Sequence, residues 1–541
     1  MPRRCATLLA LTFLLAPVAI AQPAPAGPPF AVSVQPVSVA PAPAVAIDAL
    51  GRSLFLWIGQ CGGAEDFGLC GRLYGAEGQP LGAPHLVAPA SEGFDTVPAL
   101  TALPGGGWFV AWSQPEQGFA REIAGRRLAT DGTPAAPPVL LASQSAQVFG
   151  QPALGADAAG NLVVVFEKRR FEGTTGEGDE ATPIYVGVEI LGRRTDAAGT
   201  PQGAIFRVDG ESPDLVSRPT VAVAPDGAFL AAWESFDFAT SDDDVLVRRF
   251  TPAPGGGATP AGGEQRAHQT VDGSQIRPVA AASIQGSYLV AWQGPATAGR
   301  SGVFLQVFGA GGPVFAADVG AGSGSDGEAL PAAAGGDGVL AVAWQDGRHG
   351  GSIYAQRFAA SGQPLGPDFR VSEAAAGRAL TPALAAGPGS GAGSGLTAGW
   401  SLEEPDFDRA VLGRRYPAVA APPVPCVAGS QTLCLGPGDR FRVTATWRTA
   451  QSTSGSGQVE RLTTDTGYLW FFRETNIEVV VKALDGCGVN QHFWVFAAGL
   501  TNVGVTITVE DTVAGGTRVY ENPLGRPFQP VQDTGAFPCD G

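Results

Sequence analysis

The chain has 541 residues, 44% of them apolar, so it can bury sizeable cores and its length suggests more than one domain. Gly (77) and Pro (45) are abundant, charged residues make up 16%, and Lys168 and Lys482 are the lysines, a composition that favours short strands and turns over helices. A formal charge of -16 argues against nucleic acid as a partner, because phosphates need a basic face.

Residues 1–21, MPRRCATLLALTFLLAPVAIA, place Arg3 and Arg4 before an apolar run that ends in the small-x-small triplet Ala19-Ile20-Ala21. This pattern predicts an export signal and a secreted or periplasmic protein. The run is shorter than the roughly 20 residues that span a bilayer, and no later segment is long enough either. Cys5 precedes the apolar core, which opposes a lipid-anchored N-terminus. Loss of the signal leaves six cysteines, an even number that predicts disulfides in an exported chain.

From there to residue 417 one phrase recurs: a proline, small apolar residues, a Gly-containing turn, an apolar run and an aromatic residue. The span is 14 in Pro43–Trp57, Pro98–Trp112, Pro152–Phe166, Pro219–Trp233 and Pro278–Trp292; Pro331–Trp344 is one shorter, and Pro382–Trp400 carries a Gly/Ser insertion. After each aromatic come a polar loop, a run such as VLVRRF or VLGRRY, a turn, and a short strand such as IFRV or DFRV. Four strands per copy and seven copies predict a seven-bladed β-propeller over residues 22–417. Copy seven lacks its fourth strand. Phe206 and Phe369 each precede the next copy's proline by 13 residues, and Phe30, in PPFAVSV, precedes Pro43 by the same 13. The N-terminal strand is therefore expected to complete blade seven and remove the open edge.

The seven aromatic residues are read as core, with Trp108, just after a turn, expected to be partly exposed. In the pairs Arg126-Arg127, Arg193-Arg194, Arg248-Arg249 and Arg414-Arg415 one arginine is expected to bridge blades. The propeller reading gathers the acid-rich loops that follow the aromatics on one face. There, Asp242, Asp243 and Asp244, and Glu403, Glu404, Asp406 and Asp408, are candidates for a Ca²⁺ or cationic ligand, because hard cations favour clustered carboxylates. No EF-hand spacing is present, and no other cofactor is implied. His85, His268, His349 and His492 stand in separate contexts, and no sialidase-type S-x-D-x-G-x-x-W box, G-x-S-x-G or P-loop occurs. Cys61 and Cys70 bracket one acidic-face loop and are expected to pair; zinc is the alternative, though no ligand histidine is near.

Copy six, IYAQRFAASGQPLGPDFRVSEAAAG, resembles repeats of large bacterial secreted proteins, which implies a surface or secreted role. A Pro-rich linker, 418–425, then leads to residues 426–541, where LCLGPGDRFRV, DTGYLWFF and VVVKALDGCGVNQHFWVF alternate apolar and polar positions as an antiparallel β-sandwich does. These phrases resemble a small uncharacterised module that ends many bacterial secreted proteins. Cys426 is expected to join Cys434, and Cys487 to join Cys539, among three possible pairings. The sequence thus reads as all-β: a monomeric, non-enzymatic binding or adhesion scaffold for a protein or glycan. The alternative is a propeller enzyme, a glycosidase or lyase acting on extracellular polysaccharide.

Overall fold

The computed structural model describes residues 25–33, 43–63, 67–89, 98–115, 120–144, 147–175, 182–210, 215–296, 300–309, 312–315, 317–322, 327–336, 339–373, 377–387, 395–403, 409–416, 426–451, 453–512 and 517–539. Two compact units divide the chain, Met1–Val419 and Ala420–Gly541. Both are built of antiparallel strands; among the described residues the one α-helix is Cys487–Asn490, and no helix is long and apolar enough to cross a membrane.

In the first unit each copy forms its own set of strands. Copy one is Ala44–Ile47, Ser53–Gln60, Phe67–Tyr74 and His85–Pro89, paired in that order. Copies four and six repeat the plan with Leu215–Val223, Phe229–Asp237 and Asp242–Pro252, and with Ala329–Gly335, Val339–Asp346 and Ser352–Ala359. Copies two and three share one sheet because Val148 makes a parallel bridge to Arg121. The first strand of every copy contacts that of the next, and Arg378–Ala386 of copy seven contacts Ala44–Ile47 of copy one, so the series closes on itself.

The closing strand comes from the N-terminus. Phe30–Ala31 lies against Arg409–Tyr416, Phe30 opposite Gly413 and Ala31 opposite Leu412. Phe206 stands opposite Gly192 in copy three in the same way. A glycine is required at both places: a Cβ on Gly413 would come within 2.6 Å of the Phe30 ring, and one on Gly192 within 2.5 Å of Phe206. The residue two positions on repeats too, Val32, Val208 and Val371 donating their N–H to the carbonyls of Val411, Ile190 and Ile353, each at 2.8 Å. Phe30 also stacks on Tyr74 of copy one, centroids 4.6 Å apart, and Tyr74 Oη donates to the Ala31 carbonyl.

The repeated aromatic lies between neighbouring copies. Trp292 shares a cluster with Leu230, Ala232 and Val245 of copy four, Trp344 with Leu289 and Leu305 of copy five, and Trp400 with Ala341 and Ile353 of copy six. Trp57 joins Val32 and Val411, so the same packing crosses the closure. Burying such a ring contributes roughly 4 to 6 kcal/mol as an upper bound. Trp108 departs from its expected exposure and is fully buried. Strand alternation explains this: Trp108, Val110 and Trp112 share one face and meet Leu54, Leu56 and Leu73 of copy one.

The arginine pairs reach both ways. Arg126, Arg193, Arg248 and Arg414 donate Nη1 to Val87, Leu141, Val208 and Val371, carbonyls of the preceding copy's last strand or the residue just after it. Arg249 and Arg415 donate forward, to the carbonyls of Gly309 and Gly51. Val87 and Leu141 are the residues skipped where the pairing of their strands shifts register, and a guanidinium supplies the donor such a carbonyl lacks.

In the second unit, Leu433–Leu435, Phe441–Arg448, Gly504–Asp511 and Thr517–Asn522 form one sheet with Ser454–Ser456 on the second of these. Gln458–Arg461, Thr466–Trp470, Val479–Gly486, His492–Gly499 and Val531–Pro538 form the other. Their alternate residues, Val443, Ile507 and Val509 with Leu469, Val481, Phe493 and Val495, make one core. Arg440 and Asp511 form a buried two-point ion pair at 2.8 and 2.7 Å, the guanidinium 4.4 Å from the Phe493 ring centroid. Disulfides join Cys61 to Cys70, Cys426 to Cys434 and Cys487 to Cys539.

Candidate functional site

In copies three to seven the backbone is strained beside the repeated proline, at the start of the first strand. Pairing with the second strand slips between Gly150 and Ala153, Ser217 and Thr220, Ile276 and Val279, Ala329 and Ala332, and Leu380 and Ala383. Inside each bulge the residue before the proline has positive φ: Gln151 47°, Arg218 50°, Arg277 57°, Leu330 53° and Thr381 44°. None is glycine, so each position costs on the order of 1 kcal/mol and persists only because its surroundings hold it.

For Arg218, Arg277 and Leu330 the holding group is the residue after the previous copy's aromatic. Glu167 Oε1 accepts the Arg218 N–H at 2.7 Å, Glu234 Oε1 the Arg277 N–H at 2.5 Å, and Gln293 Oε1 the Leu330 N–H at 3.3 Å. Glu167 and Glu234 are buried, and their second oxygens are also engaged. Arg169 Nη2 donates to Glu167 Oε2 at 2.6 Å; Ser217 Oγ donates to Glu234 Oε2 at 3.0 Å, with Arg218 Nε 3.3 Å from the same atom. Burial pushes the Arg277 guanidinium below the usual arginine range, and neighbouring Arg218 pushes it further down, against the pull of Glu234. These side chains gather where the first strands begin and the acidic loops leave the second strands. The sequence reading missed them; its usable signal was the residue on either side of the repeated motif, before Pro and after Trp.

The opposite halves of the first strands enclose a cavity of about 710 Å³ lined by all seven copies, including Ala46, Ala102, Ala156, Ala222, Ala282 and Ala386. Its wall is apolar and offers small side chains, with Asp157 and Ser283 at the turn end. Asp157 is occupied by its own turn, accepting the N–H groups of Ala159 and Asn161.

The predicted acidic candidates are separated. Asp242, Asp243 and Asp244 open a strand, so successive side chains alternate faces. Asp244 faces Arg266 Nε at 2.8 Å and His268 Nε2 at 3.2 Å, and Asp242 accepts from Ser274 Oγ at 3.4 Å. Glu403 accepts from Arg409 Nη2 at 3.0 Å, while Glu404, Asp406 and Asp408 lie outside the described residues. Among the described residues the group of three side chains with metal-ligand spacing is Asp485, Cys487 and Cys539, whose sulfurs are joined to each other. His349, with φ 55°, stacks on Tyr354 and shares a 3.1 Å hydrogen bond with its hydroxyl. Arg348 beside it is fixed by Asp346 at 2.7 Å and Asp368 at 2.6 Å.

No protein-family model matches the chain, and no curated protein does. Among solved structures it is similar to a polysaccharide lyase, the PL25 ulvan lyase bound to -[GlcA(1-4)Rha3S]-, at 10% identity and TM-score 0.46 over 71% of this chain and 94% of that one. A Dyadobacter fermentans protein of unknown function gives 12% and 0.43 over 60% and 94%. Trypanosoma rangeli sialidase in complex with the inhibitor DANA gives 11% and 0.38 over 86% and 91%. At these values the likenesses carry no argument about activity.

Proposed function

We propose that the chain is an exported binding scaffold, a seven-bladed β-propeller completed by its N-terminal strand and followed by a β-sandwich module, with its ligand on the face where the first strands begin. One observation carries this reading. Five copies force a non-glycine residue into the same left-handed conformation at the same place, yet the side chains differ: Gln151, Arg218, Arg277, Leu330 and Thr381. A strained position kept in the backbone and varied in chemistry is what a reading surface needs, and strain of this kind clusters at functional sites.

The alternative, an enzyme acting on polysaccharide, needs two carboxyl groups free to take and give protons around a saccharide. Glu167 and Glu234, two of the buried carboxylates at this face, have each oxygen engaged by an N–H, a hydroxyl or a guanidinium. Such bonding supports a positioning role for both. The test is a glycan and protein array probed with the full chain, followed by an assay for new reducing ends on every bound saccharide. Binding without turnover is the expected outcome; release of reducing ends would overturn it in favour of the enzyme.

A further inference from the structure

We infer that Arg277 binds the carboxylate group of a ligand, a small carboxylic acid or the uronic acid of a saccharide. This rests on the scaffold reading for its location and goes further in naming the ligand chemistry. Arg218 and Arg277 occupy the same position in copies four and five, each in a left-handed bulge before the copy's proline. In copy four the residue after the tryptophan is Glu234, and its Oε2 lies 3.3 Å from Arg218 Nε. In copy five the equivalent residue is Gln293, a neutral amide whose oxygen is given to the Leu330 N–H.

In copy three the bulge residue is Gln151, and the carboxylate after the aromatic is met instead by an arginine two residues beyond it on the same strand: Arg169 Nη2 meets Glu167 at 2.6 Å. Three guanidiniums, Arg169, Arg218 and Arg277, thus share two carboxylates, and among the described residues the third meets none in its own copy. Glu234 is near enough to favour the charged form of Arg277, but its oxygens are already taken by the Arg277 backbone, Ser217 and Arg218. Arg277 is half-buried, so an anion meeting it is partly shielded from water while still able to arrive from solvent.

The fold itself indicates a carboxylate, since it uses one at the matching place in copy four, and a planar guanidinium fork matches a carboxylate at two points. A net charge of -16 and the run Asp242 to Asp244 repel polyanions, which favours a ligand with a single negative group on an otherwise uncharged frame.

The full chain titrated calorimetrically with D-glucuronate, L-lactate and glucose tests this. Both acids bind and glucose does not; glucuronate binding tighter than lactate assigns the saccharide source, and equal binding assigns any small acid. Arg277→Gln weakens acid binding about tenfold or more. Gln293→Glu supplies Arg277 with a carboxylate from its own copy, as in copy four, and abolishes acid binding while the melting temperature stays level or rises. The second variant keeps the test alive if the first does not fold. Absence of acid binding to the parent chain, or acid binding unchanged in Gln293→Glu, overturns the inference. An array ligand that is neutral and indifferent to Gln293→Glu would overturn it and leave the scaffold reading standing. Turnover of a bound acidic saccharide that Gln293→Glu abolishes would do the reverse.

Discussion

Ser33 Oγ accepts the backbone N–H of Val411 at 3.0 Å, joining residues 378 positions apart. Ser372 does the same for Ile353 at 3.0 Å within copy six, and Asp209 for Ile190 at 2.9 Å within copy three. One hydrogen-bonding role is thus filled by local residues in some copies and by the head of the chain in the last.

Removal of residues 29–33 therefore exposes the edge of Arg409–Tyr416 and uncovers Tyr74. Phe30→Ala alone, losing the ring between Tyr74 and Phe55, is expected to destabilise the first unit by about 2 to 3 kcal/mol. Thermal unfolding of the full chain checks this, and an unchanged melting temperature for the deletion would contradict closure by the N-terminal strand.

Glu234→Gln should be tolerated within about 1 kcal/mol, because Gln293 shows that an amide oxygen can hold the equivalent bulge. Glu234→Ala removes the acceptor from a strained N–H and the partner from Arg218, and should cost about 2 to 4 kcal/mol. Equal losses for the two variants by chemical denaturation would remove the holding role assigned to this residue.

Two aspartates should give opposite pH dependences. Burial pushes the Asp209 carboxyl up from its ordinary 3.8, over the opposing pull of Arg207 and the Ile190 N–H. The folded state then holds more protons than the unfolded one, so stability falls as pH rises from 3.8 toward the raised folded value. Burial also acts to raise Asp346, but the donors of Arg348 and Trp344 outweigh it and hold the carboxyl below 3.8. Its contribution is present above 3.8 and is lost as pH falls through the depressed value. Melting curves between about pH 2 and 6 should show Asp209→Asn reducing the loss of stability on the alkaline side and Asp346→Asn reducing that on the acid side.

In the second unit, Asp511→Ala leaves Arg440 buried without its carboxylate and should cost about 3 to 5 kcal/mol. Replacing both as Arg440→Met with Asp511→Leu should recover most of that, since an apolar pair of similar volume avoids the desolvation penalty. Denaturant titration of both proteins checks it; a double variant as unstable as the single would show that the pair itself stabilises the fold.

The repeat period, the buried aromatic and the displaced fourth strand were legible because each is a spacing, and spacing survives in a linear sequence. Cys61 and Cys70 were legible as a pair bracketing one loop, whereas the four later cysteines allowed three pairings, and it is the pairing of His492 with Pro538 that brings Cys487 to Cys539. Trp108 was misread because its nearness to a turn was given more weight than its phase with Trp112. The bulge residues were not legible. Nothing in a residue before a proline announces a left-handed conformation, and that proline biases its predecessor toward extended backbone. The groups that impose it, Glu167, Glu234 and Gln293, sit in the neighbouring copy about 40 to 50 positions earlier, where only the assembled strands bring them close.

That Phe30–Ala31 completes the last sheet also sets an order of events. At ordinary synthesis rates the first strand waits roughly 20 to 75 s for residues 409–416 to be made. Throughout that interval copy one can pack on copy two but its other flank stays bare. The contacts across that seam, Phe30 against Gly413 and Trp57 against Val411, are therefore the last that the growing chain can make.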